Sequence, residues 1–411
     1  MTEHSQRLVV ISRVKAAVLK HHFNIGNVDY VEWCREVDQQ SNNLAAADDG
    51  VFEEGIRGLL AKLKSSHTTF YAADLNSTRP QHIIGATLRS VIDSGRPHWM
   101  FLDVFEDSPA ARAGVAPGQL LMSVAGTPAI PPAFPVFRFG QDHHVTTKLP
   151  DQRETRNLVV TVPQRKARKG HPPLIEPKSV SHRMLAQRVG LLRIPFFSGL
   201  FGIRFAKLLK AAVKDLKAKG CDRLIIDLRG CLGGSLGFAS LVSYLCADRI
   251  PIGYDVTRGR LQRGYNATEL PHVPMPETKA GLLFCLARFS IQDKSLMLLT
   301  QGLGRQPFHG HVVMLVNEFT NSAGEMAAQF AKDTKLATLV GQKTMGNVLG
   351  STTFNVGNGY ILYIPIFGWY SPNGNYTEGS GVQVDVLVDI DPEALARGSD
   401  AQINRALDVL K

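Results

Sequence analysis

The chain has 411 residues, 44 % hydrophobic and 20 % charged, with a formal net charge of +10. That balance excludes a disordered or low-complexity chain and supplies apolar material for two or three domains. No apolar run reaches the roughly 18 residues of a membrane span.

The first segment, MTEHSQRLVVISRVKAAVLKHHF, has an early acid, and its apolar stretch is broken by Arg13 and Lys15. It lacks the uninterrupted apolar region and small-residue cleavage site of an export signal, so a cytoplasmic location is expected. A periplasmic one remains open if the sequence lacks a leader. Residues 1–75 read as a helical region. In VFEEGIRGLLAKLKSSH, Phe52, Ile56, Leu59, Leu60 and Leu63 fall on one helical face, and the helix is expected to stop near Ser65.

From Gln81 the pattern changes to short strands: HIIGATLRSV, HWMFLDVF, QLLMSVAG and RNLVVTVPQ. The domain they form is assigned to residues 76–165. Its segments SPAARAGV and PGQLLMSVAGTP resemble a PDZ domain, usually marked by Gly-Asp before that strand. The resemblance implies a carboxylate-binding loop in IIGATL, where N–H groups around Ile84, Gly85 and Ala86 hold a peptide C-terminus while the peptide adds as a strand.

QRKARKGHPP (164–173) is the densest basic run. It ends in Gly and paired Pro and lacks interleaved aromatics, so it reads as a solvated linker, with no nucleic-acid partner. The histidine-rich stretches QDHHV (141–145) and PFHGHV (307–312) lack metal-ligand spacing and read as loops, with no metal and no cofactor. Cys34, Cys221, Cys231, Cys246 and Cys285 form no CxxC pair and read as reduced, buried thiols.

Residues 166–411 alternate strand and helix, which argues an α/β core. GLLRIPFF and DRLIIDLRG read as strands, GIRFAKLLKAAVKDLKAKG as an amphipathic helix closed by Gly220, and 251–310 as irregular. IIDLRGCLGGSLGFASL takes an apolar strand into Gly230, Gly233 and Gly234 and then a helix. Glycines at such a turn leave backbone N–H groups unshielded, a site for negative charge, though a structural turn is the alternative. VVMLVNEFTNSAGEMAAQFAKD is strand, polar turn and helix, with Ser322 at the break. Taken alone, Ser322 is a helix cap or an exposed nucleophile.

The ordered set LIIDLRGCLGG, VVMLVNEFTNSAGEMAA, LATLVGQKTMG and YSPNGNYTEGSGVQVDV resembles peptidase family S41, which holds the tail-specific processing proteases and the tricorn-type core proteases. The resemblance spans roughly residues 50–390. It implies a ClpP/crotonase-like α/β core with Ser322 as nucleophile, and an oxyanion hole from Gly233, or next Gly234, with Ala323 N–H. Tail-specific members activate the serine with a lysine. Here Asn347 stands at that position and Ser351 where a glutamine would follow, and an amide takes no proton from a hydroxyl. The tricorn-type branch uses a histidine preceded by serine and a late glutamate, which Ser66-His67 in KLKSSHTTFY and Glu378 in NYTEGSGVQ match.

The expectation is therefore a serine endopeptidase or oligopeptidase acting on peptides or unfolded proteins, with His67 as base, Ser66 and Glu378 as its support, and homo-oligomerisation left open. The alternatives are a Ser-Lys protease using Lys343, or a catalytically silent peptide or ligand binder of the same fold.

Overall fold

The computed structural model describes residues 2–23, 28–166, 172–276 and 310–411, with parts of 280–308. Cys285, residues 167–171 of the basic run, Pro307 and His309 lie outside the described residues.

Three helices open the chain: α1 (Glu3–His21), α2 (Tyr30–Ala46) and α3 (Asp49–Ala61). Each begins where a short polar side chain, Thr2, Asp29 or Asp48, accepts first-turn N–H groups. α3 buries Phe52, Ile56, Leu59 and Leu60, as its spacing predicts. It ends earlier than expected, because the chain turns left-handed at Lys64. Strand β1 (Thr69–Ala72) follows.

α4 (Pro80–Ile83), β2 (Ala86–Asp93), β3 (Arg96–Val104), α5 (Pro109–Arg112), β4 (Leu120–Val124), β5 (Thr127–Pro128), β6 (Asp142–Lys148) and β7 (Thr155–Thr161) build a β-rich unit. Its antiparallel sheet runs β2-β3-β4-β6-β7, with β5 on β4. His143 and His144, expected in a loop, lie on β6. In DHHVTTK inward and outward residues alternate, and the inward His143 takes the Arg138 N–H at 2.9 Å.

The core follows with β8 (Ser181–Ala186), β9 (Val189–Arg193), α6 (Ile203–Ala218), β10 (Arg223–Asp227) and α7 (Gly237–Ser243). The stretch expected to be irregular carries β11 (Pro251–Thr257), α8 (Arg258–Arg263), β12 (His272–Pro274) and β13 (Met297–Leu299). Then come β14 (His311–Val316), α9 (Ala323–Asp333), β15 (Thr338–Gly341), β16 (Gly350–Gly357), β17 (Tyr360–Tyr370), β18 (Val386–Leu387), α10 (Pro392–Ala396) and α11 (Ala401–Val409).

One sheet runs β18-β15-β14-β10-β9-β8, parallel except for β8. Side-chain alternation sends Leu224, Ile226 and Met314 into one apolar cluster with Phe205 of α6, Phe238 of α7 and Phe330 of α9. It sends Ile225, Val313 and Leu315 into another with Ala406 of α11. Covering both faces explains why these strands read as continuous apolar runs.

The second sheet runs β1-β17-β11-β13-β12, with β16 also on β17. It takes β1 from the N-terminal segment by antiparallel pairing of Thr69 with Tyr363. Helices α1–α3 pack on it through one cluster joining Val10, Trp33 and Phe52 to Phe70, Leu362 and Ile364. The expected ClpP/crotonase-like core is thereby corrected. The second sheet is mostly antiparallel and is completed by β1 from far upstream, so the N-terminal segment is part of the core rather than an appendage to it. No described helix is long and apolar enough to cross a membrane.

Candidate active site

Ser322 closes the turn between β14 and α9 with φ 52° and ψ −117°. A non-glycine residue in that region is strained and persists only where its surroundings over-determine it. They do so from several sides. Asn317 Oδ1 accepts the N–H groups of Gly230 (3.0 Å) and Phe319 (3.1 Å). Thr320 Oγ donates to the Leu228 carbonyl at 2.9 Å, and Asn321 N–H to the Cys231 carbonyl at 3.0 Å. The serine turn and the glycine turn after β10 are thus bonded to each other.

Glu325, one turn into α9, is fully buried. Its carboxylate accepts Ser322 N–H (3.1 Å), Thr344 Oγ–H (2.6 Å), Gly346 N–H (2.6 Å) and Asn347 N–H (2.8 Å). Burial raises its pKa, and these four donors offset only part of the rise. Sequence reading quoted this residue without giving it a role. The available signal was the Ser-x-x-Glu spacing, which lets a third-position glutamate reach back to the cap N–H.

A methyl group built on Gly233 would lie 2.7 Å from Ser322 Cβ and 3.3 Å from Ala323 N, so only glycine lets the turn come this close. Gly233 N–H is directed at the Cys231 thiol, which burial pushes up to about 12. The next residue, Gly234, packs against the Phe197 carbonyl.

The histidine sits in a second bonded group. His67 Nδ1 is 2.9 Å from Ser66 Oγ, and its ring packs 6.2 Å, centre to centre, from that of Tyr363. Glu378 accepts the Ser66 N–H at 2.9 Å and bonds the Ser66 hydroxyl as well. Its other oxygen accepts Val348 N–H at 2.8 Å. Burial raises the Glu378 pKa against these donors. Asn347, bonded to Glu325, and Val348, bonded to Glu378, are consecutive. The Ser322 and His67 groups therefore meet on adjacent peptide units. Lys343 points outward and is exposed, whereas the neighbouring Thr344 side chain turns in to Glu325.

The Ser66-His67 turn is anchored from α1. Buried His22 bonds Tyr30 Oη and Ser65 Oγ, each at 2.8 Å, and Ser65 Oγ bonds Thr68 Oγ at 2.8 Å. Burial, with the Arg258 guanidinium nearby, lowers the His22 pKa to about 4. The unfolded chain therefore binds the extra proton first. Stability is full above about pH 6.5 and falls as pH drops towards 4, by on the order of 3 kcal/mol at the acid end. Thermal melts between about pH 7.5 and 4.5 are expected to show this slope, and His22→Asn to flatten it.

Ile84 and Ala86 are fully buried, and Gly85 is left-handed at φ 69°. The Gly85 carbonyl accepts Phe105 N–H at 2.9 Å. This loop is separate from Ser322 but connected to it. Next in sequence, Thr87 donates to Asp103 at 2.8 Å, and the same Asp103 oxygen accepts Asn317 Nδ2–H at 3.0 Å. Thr87, Asp103 and Asn317 are all buried. No cluster of metal-ligating side chains occurs among the described residues.

The model of peptidase family S41 matches residues 188–388, the stretch holding both the glycine turn and Ser322. That stretch, just under half of the chain, is similar to peptidase family S41. A probable CtpA-like serine protease of Staphylococcus epidermidis is 22 % identical over 388 residues, covering 92 % of this chain and 69 % of that protein. The Staphylococcus haemolyticus counterpart is covered over 60 % of its length. Among solved structures, the photosystem II D1 C-terminal processing protease matches with TM-score 0.56 and 18 % identity, over 98 % of this chain and 99 % of that one. Mature CPAF complexed with lactacystin matches with TM-score 0.59 and 14 % identity, over 99 % and 98 %. The fold is thus the S41 peptidase fold, which replaces the ClpP/crotonase-like expectation. The family match and the CtpA-like relatives together make this chain an S41-like serine peptidase.

Proposed function

We propose that this S41-like peptidase cleaves peptide bonds through an acyl-enzyme, with Ser322 as nucleophile and His67 as general base in a tricorn-type Ser-His-Ser-Glu set. The observation that carries this reading is the meeting of the two bonded groups at Asn347 and Val348. The Ser66 hydroxyl donates to Glu378 and accepts the His67 Nδ1–H, leaving Nε2 with a lone pair for the serine proton. Oγ attacks the scissile carbonyl carbon while Nε2 takes its proton. The oxyanion is held by Ala323 N–H and the Gly233-Gly234 turn. A thiol is a weak acceptor, so an oxyanion competes well with Cys231 for the Gly233 N–H. As the C–N bond breaks, His67 returns the proton to the leaving amine, and water then repeats the sequence on the acyl-enzyme.

The β-rich unit is read as a PDZ domain whose Ile84-Gly85-Ala86 loop receives a peptide C-terminus. The exposed, outward Lys343 and the amide at Asn347 weigh against a Ser-Lys mechanism. The test uses an active-site serine phosphonate and a fluorogenic peptide on the wild type and Ser322→Ala. Wild type is expected to be labelled once, at Ser322, and to turn over, and the variant to do neither. A folded wild type that resists both would instead be a silent binder.

A further inference from the structure

We propose that Asp255 forms a specificity subsite that takes a lysine or arginine side chain of the substrate, within about six residues of the scissile bond. This rests on the peptidase reading and gives it a substrate class.

Strand pairing sets the location. β16 pairs along the length of β17 from Phe367 back to Tyr360 and so occupies one edge. The other edge must carry both β1, on Tyr360 to Tyr363, and β11, on Phe367 to Tyr370. β1 and β11 therefore lie end to end, and the Ser66-His67 segment entering β1 emerges in the gap facing the end of β11. Asp255 pairs directly with Trp369, so their side chains share a face. Ile364 packs in the α1–α3 cluster and Gly368 against Phe23 just after α1, which leaves Tyr363 and Trp369 on the opposite face, where the His67 ring packs. From the other flank, the Trp369 ring meets Phe238 of α7 at 5.5 Å. α7 is the helix that follows the glycine turn abutting Ser322. Asp255 thus has the proposed base on one side and the nucleophile turn on the other. From Tyr363 to Trp369 is about 20 Å, within the span of an extended peptide bound across Ser322.

The chemistry of the group sets the ligand. Asp255 is half-buried and, among the described residues, receives no hydrogen bond or ion pair for its carboxyl. Burial alone pushes its pKa up to about 8, and no charged neighbour contributes. An unpaired carboxyl partly shielded from water is costly, and such groups concentrate at sites a ligand completes. A cation with several donors does so best: it ionises the carboxyl and adds charge-assisted hydrogen bonds, bidentate for arginine. A carboxylate side chain offers no donor and opposes ionisation of the carboxyl, and an uncharged one would leave the group as it stands.

The test compares peptides carrying arginine, citrulline or glutamate at each of about six positions on either side of the scissile bond. Binding is followed by calorimetry on Ser322→Ala, which needs no turnover. At one position arginine is expected to bind about tenfold or more tighter than citrulline, with glutamate weakest. The difference should vanish in Ser322→Ala/Asp255→Asn. Equal binding of arginine and citrulline at every position, or a preference that survives Asp255→Asn in a folded protein, overturns the subsite. Failure of the peptidase reading looks different: the wild type cleaves none of these peptides although the arginine preference in binding persists.

Discussion

His67→Asn is expected to lower kcat on a fluorogenic peptide by about 10³ to 10⁴, with KM and Tm little changed. Asparagine is the appropriate replacement because His67 sits at φ 54°. An alanine there would add backbone strain to the chemical loss, whereas asparagine tolerates the left-handed region. The size of the effect follows from the role: a serine hydroxyl without a base is a poor nucleophile, while the oxyanion donors and substrate contacts remain. Ser66→Ala and Glu378→Gln should give smaller losses, since each acts on the orientation of the ring and not on the transferred proton. A His67→Asn enzyme with wild-type kcat would remove histidine from the mechanism, and Lys343→Ala would then be the next variant to assay.

Glu325→Ala is expected to produce the largest stability loss at the site. It strips the acceptor from the N–H groups of Ser322, Gly346 and Asn347 and from the Thr344 hydroxyl, all around a fully buried side chain. At roughly 1–3 kcal/mol for each stranded donor, the three N–H groups alone put the loss at about 3–9 kcal/mol. That is a large fraction of the total stability of an ordinary domain. Because the same carboxylate steadies the strained Ser322, activity should fall even where the protein remains folded. Glu325→Gln keeps the volume but turns an NH₂ towards a donor, so an intermediate loss is expected. Denaturant melts with parallel phosphonate-labelling rates check both effects. An alanine variant as stable as the wild type would mean that water replaces the carboxylate.

The helical face of α3, the apolar strands β10 and β14, and the family motifs around Gly233 and Ser322 were all legible, because each depends on neighbours within one turn or one strand. The segment 251–310 was not. β13 is short, and the pairing partners of β11 and β13 lie in β17 and in each other, so local periodicity carries little trace of them. Asp103 and Asn317 read as ordinary residues in a strand and a turn. Their bond to each other, and through Asn317 to Gly230, spans three separate segments.

The sequence by itself determined the family resemblance, the alternation of apolar strand and helix, and which residue types stand at the two chemical turns, since these are properties of short windows of chain. Only the tertiary structure decided that Thr69–Ala72 completes a sheet with Tyr360–Tyr363, and that Glu325 and Glu378 meet on adjacent peptide units. It also placed Asp255 on the face shared by His67 and Trp369. The physical reason is that strand register and buried hydrogen bonds are set by partners far apart in sequence, and those partners are chosen by the packing of the whole core.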